Sequence, residues 1–552
     1  MWLVDPAGPT DLSEDKCRNL SDTSASYSAV VPVTRRQFLA GSATAATAAV
    51  ASGRPVRAAA ASTNPADLTV LQALEAMKAR TLAPSELLQA CLARIDALDP
   101  TLMAFLHRTD EVATAAAKAS DARYAAGTAL LLDGLPYAAK DIFYTQGIPT
   151  TCASAAWGSY LADEDATLVA RLAAAGAGLT GKVNTHEFAF GASTPPTRNS
   201  WDTSLIPGGS SGGSGSIVGA HALPMATGSD TIGSLRIPAS VNGIVGIRPT
   251  FGLSSRHGVV PLAFSFDTTG LLSRTVADAA FLLSFVVGPD PGDPTTATAV
   301  TTTYPTSAPA DLKGVRLGMP TSWFFDGASA AISSSVRAAV AHAQARGAVM
   351  VDVDLPAVFT EVMAPQPGAD TLVGTDGLSA VLGDALSVPT IVCYTEAAGY
   401  HYRLRREAMT GYSQDINELL TITEQIPASS YLRAQQLRAV FVAAMRDTFT
   451  SNGIDALVAP TCQNTPPAQQ AKGGANQSGL LNGSANAHNN TPWSFCGLPS
   501  MSMPVGLDDA GVPVGLQLNG LPRTEATLLS IALAIEEAVD FAQHRPAVLA
   551  GH

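Results

Sequence analysis

The sequence has 552 residues, of which 46% are apolar and 14% are charged, so it is long and apolar enough to fold around a large core. Its formal net charge of −13 argues against a nucleic-acid-binding surface, which requires Lys and Arg clustered on one face. No apolar run reaches the ~20 residues that crossing a bilayer needs, so no membrane span is predicted.

The N-terminal residues have the pattern of an export signal. Arg35 and Arg36 precede a weakly apolar stretch over 41–51, and small residues follow at 58–62. This order is typical of a signal peptide, and the twin arginine resembles the Tat class; a frayed Ala-rich helix is the alternative. The sequence therefore predicts a leader over 1–61 that is removed, and a mature protein that is periplasmic or secreted.

The cysteines outside this leader are odd in number and form no Cys-x-x-Cys or Cys/His cluster. Because a Tat substrate folds before export, in a reducing compartment, we expect free and mostly buried thiols rather than disulfides. The residues concerned are Cys91, Cys152, Cys393, Cys462 and Cys496.

Helical and strand patterns alternate along the rest of the chain. Apolar residues over 85–98 recur at helical spacing behind Ser85, a plausible N-cap. Short apolar strands and further helices follow, which favours an α/β layered domain. These segments are 135–139, 165–176, 178–183, 222–227, 243–249, 453–461 and 524–539.

Two segments are too polar to pack as core elements. Residues 289–311 are rich in Pro and Thr, which indicates a surface crossing between two halves of the fold or a domain boundary. Residues 463–491 are rich in turn-forming residues, so we expect them on the surface or over the mouth of a site.

The stretch PGGSSGGSGS, Pro207 to Ser216, allows several interpretations. Gly and Ser form flexible linkers, which is the default for such a run. A phosphate-binding loop requires a Lys directly after the glycines, and none is present. The run satisfies Gly-x-Ser-x-Gly at Ser210 and Ser211, but a nucleophile elbow needs a strand leading into the serine, and the preceding residues are a poor strand.

Two further features lie on either side of this run. Downstream, GSDTIGSLRIPAS carries Ser234 after a glycine, and upstream Lys140 ends an apolar stretch. A serine becomes nucleophilic when a base takes its proton, and lysine is a base only when neutral, a form that burial favours. A second hydroxyl can relay the proton because it both donates and accepts. Lys140, Ser210 and Ser234 are therefore candidate catalytic residues, although each alone is more often structural.

At these residues the chain resembles the amidase signature family, whose members cleave amide C–N bonds. The matching segments include GLPYAAKDI, GAGLTGKVNTHEFAFG, PGGSSGGSGS, GSDTIGSLRIPASVNGIVGIRPT, LVAPT, FCGLPSMSMPVG and GVPVGLQL. The resemblance implies one large α/β domain over 62–552, with a central mixed β-sheet covered by helices on both faces. It also implies that Ser234 is the nucleophile, Ser210 a bridging serine on a cis peptide bond, and Lys140 the terminal base.

The resemblance extends to supporting residues. Ser211 is expected to hold the lysine by a hydrogen bond, and backbone N–H groups are expected to stabilise an oxyanion. These donors are Thr231, Ile232, Gly233 and Ser234. Asp230 and Arg236 match positions expected to brace the loop, with a surface ion pair as the alternative. Ile232 departs from the family, which usually has a small residue there, and this puts reaction rate and substrate size in doubt.

Leader and resemblance together predict an exported amidase that hydrolyses carboxylic amides through a serine acyl-enzyme. The expected partner is a small-molecule amide, with no nucleic acid, no metal and no organic cofactor, and the chain is expected to be a monomer or homodimer. Two alternatives remain open. One is a transamidase subunit that supplies ammonia to a charged tRNA, and the other is a non-catalytic binding protein on an amidase scaffold.

Overall fold

The computed structural model describes residues 64–158, 160–364, 387–469 and 484–550. The predicted leader and the predicted boundary at residue 62 lie outside these residues, as does much of the polar segment 463–491. Within the described residues, no helix is long and apolar enough to cross a membrane. The five cysteines expected to be free and buried are free and buried.

A mixed eleven-stranded sheet forms the centre of the fold, in the order β1-β5-β2-β6-β8-β7-β12-β13-β11-β9-β10. A separate two-stranded sheet pairs β3 with β4. The strands are β1 Phe105–Arg108, β2 Pro136–Lys140, β3 Pro149–Thr150, β4 Tyr160–Leu161, β5 Gly178–Val183, β6 Met225–Asp230, β7 Val245–Arg248, β8 Thr268–Ser273, β9 Arg316–Pro320, β10 Val349–Val353, β11 Ala456–Pro460, β12 Ser500–Leu507 and β13 Pro513–Asn519.

Helices flank this sheet, which confirms the predicted fold class. They are α1 Val70–Lys78, α2 Pro84–Leu102, α3 Asp110–Ala126, α4 Thr167–Ala174, α5 Gly212–Gly219, α6 Arg236–Val241, α7 Val276–Val286, α8 Ala330–Ala345, α9 Ala357–Met363, α10 Val388–Ala408, α11 Gln414–Thr423, α12 Ala428–Asn452, α13 Thr491–Cys496 and α14 Glu525–Val539.

The start of α2 differs from the prediction. The N-cap is Ala83, which has no side-chain cap, and Pro84 takes the first helical position, where its missing N–H costs nothing. The side chain of Glu86 accepts a hydrogen bond from the Ala83 N–H at 2.8 Å. Ser85 is therefore inside the helix, and the predicted cap at this residue is wrong.

The Pro- and Thr-rich segment 289–311 crosses between α7 and β9. Strands from before and after it belong to the same sheet, so it connects two halves of one domain and is not a domain boundary. Acidic side chains attach it to the rest of the protein. Asp293 forms an ion pair with Arg256 at 3.0 Å, and Asp290 accepts a hydrogen bond from the Thr167 hydroxyl at 2.5 Å.

Three neighbouring strands place the candidate residues. β2 pairs in parallel with both β5 and β6. The carboxyl ends of parallel strands lie at the same edge of a sheet, where ligand sites of α/β proteins commonly form. Lys140 ends β2 and Asp230 ends β6, so the two loops that follow meet at this edge.

The carboxyl group of a partly buried glutamate joins α7 to α14. Glu536 Oε1 accepts a hydrogen bond from the N–H of Val276, the first residue of α7, at 2.7 Å. Burial raises the pKa of Glu536 from 4.5 to about 8. The folded protein therefore retains this proton at pH values where the unfolded chain has lost it.

We expect the free energy of unfolding to fall as pH rises from 4.5 to about 8, because ionising Glu536 is harder in the folded protein. Glu536→Gln keeps the acceptor for Val276 and should flatten this part of the stability profile, measured by denaturant unfolding at a series of pH values. Glu537→Gln, on the exposed neighbour, should retain the wild-type slope. An unchanged slope in Glu536→Gln would contradict this assignment.

Candidate active site

Lys140 is fully buried at the carboxyl end of β2. Its Nζ donates to Ser210 Oγ at 2.7 Å and to Ser229 Oγ at 2.9 Å. Burial lowers the pKa of Lys140 to about 7, against the opposing charges of Asp267 and Asp230. The amine is therefore neutral in a substantial fraction of molecules near pH 7, as a general base must be.

The glycine-serine run is part of the core and not a linker. A cis peptide bond joins Gly209 to Ser210, as the resemblance implied. A Cβ on Gly209 would lie 2.3 Å from the Ser193 carbonyl oxygen, and one on Gly213 would lie 2.6 Å from the Asn184 nitrogen. The glycines thus allow α5 and the turn before it to pack directly on neighbouring backbone.

Ser234 lies in the loop between β6 and α6 and is 7% exposed. Gly233 before it has a φ of +109°, a conformation that strongly favours glycine. The structure joins Lys140 to Ser210, but it contains no hydrogen bond from Ser234 to Ser210 or to any other described residue. Two of the three candidate side chains are therefore in contact, and the third occupies the adjacent loop.

The loop amides divide into two groups. The Gly233 N–H donates to Asp230 Oδ1 at 2.8 Å, so this predicted oxyanion donor is already engaged within the protein. The N–H groups of Thr231, Ile232 and Ser234 donate to no acceptor among the described residues. Ile232 itself is half-buried, and its side chain packs against the main hydrophobic core.

Ser211 does not form the predicted hydrogen bond to the lysine. Its hydroxyl donates to the Ser229 carbonyl at 3.3 Å, and the lysine instead contacts the Ser229 hydroxyl. Sequence reasoning missed Ser229. The available signal was strand alternation, because Thr227 and Ser229 share one face of β6 and the Thr227 hydroxyl accepts from the Lys140 N–H at 2.9 Å.

Asp230 lies between two buried arginines, which excludes a surface ion pair. Arg236 Nε donates to Asp230 Oδ2 at 2.9 Å, and Arg248 Nη1 donates to Oδ1 at 3.2 Å. Although burial acts to raise it, these charges and hydrogen bonds hold the pKa of Asp230 well below its usual value. Arg236 also donates to Ser494 at 2.6 Å and Gln517 at 3.0 Å, so this network joins the loop to the C-terminal part of the sheet.

A cavity of about 220 Å³ adjoins this site. Ser229 and Thr231 line it together with apolar side chains that include Ile142, Val260 and Leu262. Among the described residues, no group of three or more His, Cys, Asp and Glu side chains is arranged to hold a metal ion.

Comparison with known proteins identifies the family. The sequence profile described as Amidase matches residues 86–529, and the chain belongs to this family. The fold and the sequence therefore define this protein as an enzyme that acts on C–N bonds.

Three relatives illustrate the range of the family. The chain is 38% identical to a glutamyl-tRNA(Gln) amidotransferase subunit of Myxococcus xanthus, over 86% of this chain and 98% of the relative. The solved structure of the subunit of the same name from Thermotoga maritima is 27% identical with a TM-score of 0.65, over 86% and 96% of the two chains. The solved peptide amidase of Stenotrophomonas maltophilia is 28% identical with a TM-score of 0.68, over 87% and 98%.

These relatives correct two predictions. The predicted main function, an exported amidase that hydrolyses carboxylic amides, is wrong, because relatives that match along almost their whole length are amidotransferase subunits. The predicted periplasmic or secreted location is wrong for the same reason, because these relatives are named as subunits of an enzyme for glutamyl-tRNA(Gln). The transamidase alternative fits the comparisons better.

We expect Asp230→Asn to destabilise the folded protein by ~3–5 kcal/mol, because two buried guanidinium groups would lose their only carboxylate partner in this network. Denaturant unfolding at pH 7 measures the change. Asp311→Asn serves as the matched control, since Asp311 pairs with Lys313 on the surface, and stability should not change. A loss in Asp230→Asn no larger than in this control would show that the network does not stabilise the loop.

Proposed function

We propose that this chain is the amide-cleaving subunit of an amidotransferase, which releases nitrogen from a carboxamide donor for transfer to an acceptor held by a protein partner. The observation that carries the proposal is the 38% identity to an amidotransferase subunit over 98% of that relative. Family membership supports C–N bond cleavage, and the contact of Lys140 with Ser210 supports a serine mechanism.

In the proposed mechanism, neutral Lys140 accepts a proton from Ser210 while Ser210 takes the proton of Ser234. The Ser234 oxygen attacks the carboxamide carbon, and the resulting oxyanion is stabilised by the amides of Thr231 and Ile232, which have no acceptor among the described residues. The C–N bond then breaks, and the nitrogen leaves as ammonia after receiving a proton through Ser210. Water attacks the acyl-enzyme, which releases a carboxylic acid and restores the Ser234 hydroxyl.

The net negative charge of the chain supports a second protein that binds the acceptor. A net charge of −13 disfavours contact with the phosphates of a nucleic acid. The relatives are named as one subunit of an enzyme for glutamyl-tRNA(Gln). We therefore assign the release of nitrogen to this chain and the binding of the acceptor to a different protein of the complex.

The assembled enzyme, with the remaining amidotransferase subunits of the same organism, should amidate glutamyl-tRNA(Gln) with glutamine as the nitrogen donor. Ser234→Ala should reduce the glutamine-dependent rate by at least ~1,000-fold, because the nucleophile is lost, yet transfer from added ammonium should persist. Ser204→Ala, on an exposed serine, is the control and should keep both rates. A Ser234→Ala enzyme that still uses glutamine would disprove the mechanism, and a wild type inactive with both donors would disprove the amidotransferase assignment.

The rate at which a fluorophosphonate labels Ser234 should rise with pH and reach half its maximum near pH 7, because the lysine pKa is about 7. Lys140→Met should lower labelling ~100-fold or more, the usual contribution of a general base. Lys313→Met, at an exposed lysine, should have no effect. A rate that is flat between pH 5 and 9 would argue against a lysine base, and no labelling of folded protein would favour a non-catalytic scaffold.

A further inference from the structure

Asp267 connects two loops at the edge of the site. It precedes β8 and is 8% exposed. Its Oδ1 accepts a hydrogen bond from the Thr231 hydroxyl at 2.6 Å, and its Oδ2 accepts from the N–H groups of Leu262 and Ala263 at 2.9 and 3.0 Å. One carboxylate thus attaches the loop that carries Ser234 to the segment that lines the cavity.

Thr231 is the residue through which Asp267 holds the loop. Its side chain is bound to Asp267, and its backbone N–H is free among the described residues and belongs to the proposed oxyanion site. A hydrogen bond from the same residue to a buried carboxylate restricts the direction of that N–H. Charge-assisted hydrogen bonds of this kind are roughly twice as strong as neutral ones.

Among the carboxyl groups around Lys140, Asp267 differs from Asp230 and Asp141 because it has no salt-bridge partner among the described residues. Asp230 is paired with two arginines, and Asp141, next to the lysine in sequence, is paired with Lys182 at 3.0 Å. Asp267 forms no salt bridge with any described residue. The nearby Arg256 binds Asp293 at 3.0 Å.

Two further titratable groups near Lys140, Cys152 and His186, are uncharged at neutral pH. Burial raises the pKa of the Cys152 thiol well above its usual value, so this group stays protonated. Burial lowers the pKa of His186 to about 4, so its ring is neutral. Burial raises the pKa of the Asp267 carboxyl, and the hydrogen bonds from Thr231, Ala263 and Leu262 and the charge of Arg256 oppose this. In its ionised form, Asp267 is a negative charge that has no salt bridge to any described residue and acts on the lysine.

We propose that Asp267 is a positioning residue of the amide-cleaving site: it fixes the Thr231 end of the oxyanion loop and supplies the unpaired negative charge near Lys140. The inference rests on the proposed amide-cleaving function. It assigns one carboxylate two effects that can be measured separately, one on the rate through the loop and one on the pH dependence through the lysine.

The test measures the rate of fluorophosphonate labelling at Ser234 from pH 5 to 10. Asp267→Asn removes the charge and should move the midpoint of the profile to lower pH, because a nearby negative charge favours the protonated lysine. Asp293→Asn removes a carboxylate that also lines the cavity but is paired with Arg256, and it should leave the midpoint unchanged. A midpoint that does not move in Asp267→Asn, or that moves equally in Asp293→Asn, would overturn the electrostatic role.

The loop role is tested without changing any charge. Thr231→Val removes the donor to Asp267 at nearly constant volume, and it should lower the maximal labelling rate ~10-fold, the effect of losing one hydrogen bond to a charged group, with the midpoint unchanged. Thr231→Ser restores the hydroxyl and should recover most of the rate. If the rate of Thr231→Val equals that of the wild type, the positioning role is overturned.

These variants also separate the inference from the proposed function. If the wild type is not labelled, or if labelling survives in Ser234→Ala, the amide-cleaving function fails and the inference fails with it. If the wild type is labelled with the expected profile while the Asp267 and Thr231 variants match it, the inference alone fails. Should Asp267→Asn not fold, the pair Thr231→Val and Thr231→Ser decides the proposal.

Discussion

The burial of one lysine amine at the edge of the sheet is the constraint on which the rest of the site depends. An isolated ammonium group in a protein interior is costly, and the cost is reduced when the amine loses its proton and its remaining hydrogen bonds are satisfied. Ser210 and Ser229 supply those hydrogen bonds to Lys140. The two serines lie on different segments, Ser210 in the glycine-rich turn before α5 and Ser229 in the buried strand β6. Both segments must therefore pack close to the lysine.

The loop that carries Ser234 is held from both sides by carboxylates in different electrostatic states. Asp230 is neutralised by Arg236 and Arg248, and these arginines extend the network into the C-terminal part of the sheet. Asp267 accepts hydrogen bonds from neutral donors only among the described residues. One carboxylate therefore contributes mainly stability, and the other is placed to influence chemistry.

The sequence patterns were reliable where the physical cause is local, and family resemblance supplied most of the rest. Strand β5 was predicted with its observed bounds, because a short apolar run between turn residues suffices to specify a buried strand. The helix N-cap at Ser85 was wrong because a proline at the preceding position competes for the start of the helix. The export pattern near Arg35 led to the wrong location and to an exported amidase in place of the transamidase alternative.

In the sequence by itself, apolar periodicity indicated the α/β class, and the resemblance of contiguous motifs supplied the mixed sheet, the family and the candidate side chains Lys140, Ser210 and Ser234. Only the tertiary structure decided that Ser229 and not Ser211 forms a hydrogen bond with the lysine. It also decided that the Gly233 N–H donates to Asp230, and that Asp267 has no salt bridge to any described residue. These contacts join residues from separate strands and loops. Their partners depend on strand register and loop packing, which a linear pattern of residue types does not encode.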